Sequence, residues 1–239
     1  MATAALLIVI AAGLIVVHYG FVRRWMLTWG ASVEELGAAL PGDEFVLDPR
    51  TGSTRAITIH APLEAVWPWI AQMGQGRGGL YSYDWLENLF GCDIHSSDRI
   101  LSNLQTVEVG DVIRLVKEGY PVDLSFEVAF VHPPRALVLR PRTTPEEAFA
   151  AGMAYTTWAF VLQAVNSGTT RLISRWRTDF KPTPAGYFWW KYGPVEAVNF
   201  VMERKMLKGL RRRAEHCATW RLMAEPTSAD AQHPNPSAG

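Results

Sequence analysis

The side chains best able to do chemistry fall within one short stretch, Tyr81-Ser-Tyr83-Asp84-Trp85-Leu-Glu87-Asn88, followed shortly by Asp93, His95 and Asp98. Helical spacing would place Tyr81 with Trp85, Tyr83 with Glu87, and Asp84 with Asn88 on shared faces. Phenol and carboxylate groups aimed into an apolar hollow would acquire raised pKa values, and could orient a polar ligand head or exchange protons with it. Asp84, Glu87 and His95 are therefore the candidate acid/base residues. The competing reading is a set of core aromatics with an exposed acidic rim, since buried carboxylates are rare without partners. Cavity lining is favoured over catalysis, because ligand sites are mostly apolar with few polar groups. Asp93, His95 and Asp98 form the one compact cluster of metal-ligand types, but without a distant second pair they fall short of a zinc site. No metal or cofactor is expected.

Other motifs argue by exclusion. Gly74-Gln-Gly76-Arg77-Gly-Gly79 fits the dinucleotide pattern literally, yet it follows a helix and lacks the strand-loop-helix context, so it reads as a lid hinge or a tight turn. Arg77 within it could meet a lipid phosphate or simply be solvated. The chain has no G-x-S-x-G elbow, no H-E-x-x-H and no P-loop, which removes the usual support for hydrolase or NTPase chemistry. The charge is balanced, 23 basic against 23 acidic residues, and a general nucleic-acid binder needs a basic excess. The two cysteines, Cys92 and Cys217, cannot build a disulfide framework. With 49% hydrophobic residues and ten tryptophans, the 239-residue chain has apolar material for one core and a lined cavity.

The elements that must position these groups can be read from pattern. Ala2 to Val22 carries no formal charge, and its 21 residues at ~1.5 Å rise span about the ~30 Å of a bilayer's hydrocarbon. A membrane anchor over 1–24 is expected in preference to a cleaved signal, because no basic residue precedes the apolar run. Arg23 and Arg24 follow it, which by the positive-inside bias puts the main domain in the cytoplasm, with Trp25 and Trp29 at the interface. Residues 25–53 form a spacer in which Ser32 and Glu35 make a capping-box pattern for a helix from Val33 to Leu40. Residues 224–239 are proline-rich and poor in large apolar side chains, and read as a disordered tail.

Between them, 54–223 reads as one domain. Period-two alternation predicts strands at 54–60, 111–116, 123–131, 136–140, 155–165 and 170–180. Pro62 opens a helix that Pro68 should kink or split. From Pro194 onward, Val195, Val198, Val201, Met202, Met206 and Leu210 recur at helical steps and predict one core-facing stripe. On the last strand Leu172 and Trp176 share one face, while Arg171, Arg175 and Arg177 read as a solvent-side row pairing with neighbours such as Glu127. Lys205, Lys208, Arg211, Arg212 and Arg213 give the last helix a basic end. The fold class is α+β, a curved antiparallel sheet around a long C-terminal helix.

The opening "TRAITIHAPLEAVWPWIAQMG" and the closing "YGPVEAVNFVMERKMLKGLRRRAE", over roughly Thr54 to Arg221, resemble the SRPBCC superfamily. That superfamily includes START-type lipid-transfer domains, birch-pollen-allergen-like proteins and the polyketide cyclase/dehydrase branch. The insert "GQGRGGLYSYDWLENLFGCDIHSSDRI" resembles that of a bacterial membrane-anchored subgroup. The resemblance implies a helix-grip fold, with a seven-stranded antiparallel sheet, two short helices closing one end and an apolar cavity. It also implies ligands such as sterols, lipids, polyketides or plant hormones. No catalytic residue carries over, because the branches do not share one.

The expected function is membrane-tethered binding or transport of a hydrophobic small molecule, with membrane lipid as the other partner. Trp67, Trp85, Trp158, Phe160, Trp176 and Trp189 would supply apolar contact, with Phe126 on the same sheet face and Tyr81 beside them. Tyr83, Asp84 or His95 would place the polar end. The alternatives are a cyclase or dehydratase using Asp84, Glu87 or His95, and a membrane-anchored protein-interaction module whose cavity is filled.

Overall fold

A computed structural model describes residues 18–224 together with Thr3, Leu6, Ile10, Gly13 and Val17. Most of the expected membrane span, and the expected tail beyond residue 224, lie outside the described residues. Among those described, no helix is long and apolar enough to cross a membrane.

A π-helical turn, His18–Val22, leads into α1 (Arg23–Leu27), and the capped helix α2 (Val33–Gly37) follows. The capping box forms as expected: the Glu35 N–H donates to Ser32 Oγ at 3.3 Å and the Ser32 N–H to Glu35 Oε2 at 2.7 Å. β1 (Thr51–Ile59) then feeds α3 (Leu63–Ala71), and α4 (Asp84–Leu89) closes the insert. The strands β2 (Val112–Arg114), β3 (Ser125–His132) and β4 (Ala136–Pro141) precede the short α5 (Pro145–Ala150). β5 (Tyr155–Asn166) and β6 (Thr169–Asp179) form the longest hairpin. A π-helical segment, Tyr187–Tyr192, leads to the 31-residue α6 (Pro194–Ala224).

The sheet order is β1-β6-β5-β4-β3-β2, antiparallel throughout, with α6 held against one face. The arrangement is a helix-grip one, with six strands among the described residues where the resemblance implies seven. The alternating stretches of the sequence already number six, and the polar run from 91 to 111 offers no further period-two pattern. Along the β5–β6 register Trp158 faces Trp176, Phe160 faces Ser174 and Leu162 faces Leu172, so one face carries the apolar set toward α6. Leu137, Leu139, Phe160, Leu172, Leu207 and Leu210 anchor the core beneath it.

Three local expectations are corrected. Pro68 does not split α3, which runs through it as one element; the carbonyl that the ring leaves without its donor belongs to Glu64, an exposed residue. Pro62 caps that helix from outside. The stripe on α6 divides: Met206, Leu207, Leu210 and Ala214 are buried, whereas Val195, Val198 and Val201 are exposed. The first turns of α6 therefore do not pack into the core.

The arginine row of β6 does not face solvent. The apolar cluster of Leu40, Ala56, Val161 and Ile173 draws the spacer across the outer face of the sheet, and the arginines clamp it there. Arg171 pairs with Glu35 at 2.6 Å, and this hydrogen bond holds the Glu35 carboxyl below the usual range. Arg175 donates to Asp43 Oδ2 at 2.8 Å and to the carbonyls of Ala38 and Glu35, both at 2.7 Å. Arg177 reaches the Val46 carbonyl at 2.8 Å, and Glu127 pairs instead with Arg140 at 2.6 Å. Replacing Arg175 with methionine should free two backbone acceptors and cost about 2 kcal/mol. Hydrogen exchange over residues 33–47 should accelerate at least tenfold, and unchanged exchange there would refute the clamp.

Candidate functional site

The separation of α6 from the sheet at its N-terminal end opens a cavity of about 750 Å³. Its walls come from α4 and the residues flanking it (Leu80, Leu86, Phe90), from the β2–β3 end of the sheet (Leu115, Val116, Leu124), from Trp158 and Trp176, and from Val195, Val198, Met202 and Met206 of α6. The stacked indoles of Trp158 and Trp176, 4.3 Å between ring centroids, form the sheet-side wall. The size falls within the ~300–1,000 Å³ of small-molecule sites.

The polar groups in this wall are few: Ser82, Glu87, Cys92, Asn199 and Glu203. Arg55, fully buried on β1, forms an ion pair with Glu203 and donates to Asn199 Oδ1 at 2.7 Å and to the Met26 carbonyl at 2.8 Å. Burial pushes the Glu203 carboxyl up from its ordinary value, and the Arg55 charge opposes that. Trp176 and Ser174 also stand close enough to the Glu203 carboxyl to draw its pKa down by hydrogen bonding, although neither Glu203 Oε1 nor the buried Trp176 Nε1 makes a bond of full geometry. The neighbouring Trp158 Nε1 is satisfied by Ser174 Oγ at 2.8 Å. The wall thus places an N–H donor and a carboxylate acceptor together with their hydrogen bonding incomplete. A ligand hydroxyl, which both accepts and donates, has the chemistry to satisfy the two.

Glu87 lies across the cavity on α4. Burial, and secondly the Asp84 charge, push its carboxyl up to about 7, and its Oε2 is buried without a partner. It can therefore hold or release a proton near neutrality. The nearby Cys92 thiol is pushed up by burial, the opposite of what a nucleophile needs.

The structure separates the residues that sequence pattern grouped. Asp84 is tied down, accepting from the Ser96 N–H at 2.6 Å and from the Ser96 hydroxyl at 2.7 Å. Tyr81 and Tyr83 precede α4 instead of sharing its faces, because Tyr81 adopts φ 57° outside the helix. The Tyr81 hydroxyl donates to the Trp69 carbonyl at 3.0 Å, and burial raises its pKa to about 12. The Tyr83 ring lies under the Lys205 ammonium at 5.4 Å. His95 is exposed beside Asp93, and Asp98 pairs with Arg213 at 2.7 Å. Among the described residues no group of three or more His, Cys, Asp or Glu is placed to hold a metal. Trp67 and Phe160 are buried in the core, and Phe126 packs edge-on against Trp158 and Trp176 behind the wall. Trp85 and Trp189 are exposed.

The glycine-rich loop closes on itself. Gly74 and Gly79 exchange two backbone hydrogen bonds of 3.0 Å, and a Cβ on Gly79 would sit 2.5 Å from the Ser96 Cα. These amides are committed within the loop, as a tight turn requires. Arg77 donates from its half-buried position to the Ala71 carbonyl at 2.9 Å, which ties it to the end of α3.

Arg55, Asn199 and Glu203 were not singled out from the sequence, although the signal was present. Arg55 shares the inward parity of Ile57 and Ile59 on β1, and Asn199 and Glu203 continue the stripe of Leu207 and Leu210. Charges at core-facing positions mark a buried pair or a site.

No family model matches the chain, and no curated protein matches it. Similar solved structures include a truncated norcoclaurine synthase from Thalictrum flavum, 11% identical with a TM-score of 0.41, covering 74% of this chain and 95% of that one. An aromatase/cyclase from a Streptomyces species is 16% identical with a TM-score of 0.37, covering 70% of this chain and 94% of that one. A polyketide-cyclase-like protein from Corynebacterium glutamicum is 16% identical with a TM-score of 0.33, covering 77% of this chain and 97% of that one.

Proposed function

We propose that the chain is a membrane-tethered binder or carrier of a hydrophobic small molecule bearing a hydroxyl at one end. The observation that carries this reading is the apolar cavity with Trp176 Nε1 and Glu203 Oε1 together in its wall, both short of a hydrogen bond of full geometry. Burying polar groups with their bonding incomplete costs up to about 1–3 kcal/mol each, a cost that a ligand hydroxyl completing those bonds would lower. Trp158 and Trp176 would contact the apolar body, backed by Phe126, Phe160 and the core around Trp67 and Tyr81. The uncharged run from Ala2 to Val22 supports the tether, and Arg23 and Arg24 behind it support a cytoplasmic domain.

A second reading, favoured by Glu87 alone, is a cyclase- or dehydratase-type enzyme. A carboxyl that titrates near 7 inside a cavity suits general acid/base work on a bound carbonyl compound.

Native mass spectrometry of the full chain purified in detergent, with titration by a fluorescent long-chain alcohol, tests the binding reading. The parent should retain or take up an apolar alcohol. Met202→Trp, which fills the cavity, should weaken uptake on the order of tenfold or more while leaving the melting temperature nearly unchanged. A parent that binds nothing, or a filled variant that binds as well, would overturn the proposal.

A further inference from the structure

The mouth of the cavity is greasy on its outside as well as within. Phe90, Leu124, Val195 and Val198 line the cavity, and are yet 67%, 37%, 36% and 57% exposed. Beside them the π-helical segment displays Phe188 and Trp189, 58% and 52% exposed, and Tyr192 is exposed as well. A soluble surface seldom shows so many large apolar side chains together without a partner.

The N-terminal segment runs toward the same rim. Trp25 packs on Phe200 at 4.9 Å, Arg23 pairs with Glu196 at 2.7 Å, and the Tyr19 hydroxyl donates to the Tyr192 carbonyl at 3.3 Å. These contacts step down α6 together, so the chain, followed toward its N-terminus, passes beyond the first residues of α6. That is the end where the mouth opens. The uncharged run that ends at Val22 therefore meets the body at the rim, where Tyr19 packs edge-on to Tyr192 at 5.6 Å and Phe21 and Val22 are exposed. On the helix side of the mouth, charge agrees with this placement. From Lys181 to Val195 the only charged side chains are the cations Lys181 and Lys191, and Glu196 is neutralised by Arg23. Tryptophan, tyrosine and lysine are the residues that settle at a bilayer interface.

We propose that this rim docks on the surface of an anionic lipid bilayer, so that the cavity opens directly into the lipid and a ligand enters without crossing water. The inference rests on the tether and on the cavity as a ligand site. The occupant of the face is lipid, and a protein partner there is an outcome that the test separates.

The test uses the full chain in vesicles of phosphatidylcholine and phosphatidylglycerol containing nitroxide-labelled lipid. In a Cys92→Ser, Cys217→Ser background, an environment-sensitive fluorophore is attached through Trp189→Cys, Val198→Cys or Val165→Cys in turn. Val165 is exposed at the β5–β6 turn, which lies toward the far end of α6, where the His60 N–H meets Glu215 at 2.9 Å. Labels at 189 and 198 should shift to the blue and be quenched by the lipid nitroxide, while the label at 165 stays in water. Removing phosphatidylglycerol should lower the quenching at 189. Labels at 189 and 198 as wet as that at 165, on a chain that floats with the vesicles, would overturn docking and leave the tether standing. Failure to float would overturn both. A dry but unquenched label at 189, which lies outside the cavity wall, would mean a protein on this face and would overturn lipid docking. Alcohol uptake in detergent reports the cavity independently of all these outcomes. As a second measure, Phe188→Asp with Trp189→Asp should slow uptake from vesicles on the order of tenfold without changing affinity in detergent.

Discussion

Replacing Arg55 with methionine is expected to destabilise the fold by about 3–5 kcal/mol, because removing one partner of a buried pair leaves the other charge uncompensated. Arg55 and Glu203 are both almost wholly buried, and the guanidinium also satisfies the Met26 carbonyl and Asn199. Since burial already raises the Glu203 carboxyl, the orphaned group should take up a proton, making the loss smaller at low pH and larger at high pH. The double replacement Arg55→Met, Glu203→Met removes both charges and should recover much of the stability, though not the Met26 and Asn199 bonds. Its ligand affinity should stay low, because the carboxylate acceptor of the wall is gone. Urea unfolding of the single and double variants, with alcohol binding, checks all three statements. Equal destabilisation by the single and the double replacement would show that the ion pair is not what matters.

Replacing Glu87 with glutamine should raise stability at alkaline pH and flatten its pH dependence. In the folded chain this carboxyl titrates at about 7, against 4.5 when unperturbed. Below pH ~4.5 it is protonated in both states and contributes no pH dependence. As pH rises from there to about 7, the unfolded chain releases its proton while the folded chain keeps it, so stability falls. Above 7 the deficit is constant. Each tenfold difference in proton affinity between the two states is worth about 1.4 kcal/mol, and allowing for the open mouth of the cavity the full effect should be about 2 kcal/mol. Thermal unfolding of the parent and Glu87→Gln from pH 4 to 9 is the measurement. Parallel curves would mean that Glu87 is solvated in solution, and the acid/base reading would fall with it. If the enzyme reading holds, the same variant should lose turnover while still binding the alcohol probe.

The strands were legible because each is half-buried and alternates with period two, from Ile57 and Ile59 on β1 to Leu172 and Trp176 on β6. The Ser32–Glu35 capping box was equally legible, being a local bond pattern within four residues. The helix at Tyr81 was misplaced because spacing alone does not reveal the left-handed turn that starts the element at Asp84. The arginine row was misassigned for a different reason. Parity shows that Arg171, Arg175 and Arg177 share a face opposite the core, but not that a segment more than a hundred residues earlier in the chain will lie across it.

By itself, then, the amino-acid order determined the class of fold, the strands, the long last helix and the apolar N-terminal run, all properties set by periodicity within a short window. The tertiary structure alone decided which polar groups share one cavity. Arg55 and Glu203 are separated by 148 residues, and although each stands at a core-facing position, nothing local pairs the one with the other. Their meeting follows from strand register and from the distance at which α6 stands off the sheet. Side-chain volumes along the whole helix set that distance: Leu207 and Leu210 close one end, while stacked Trp158 and Trp176 leave the other open.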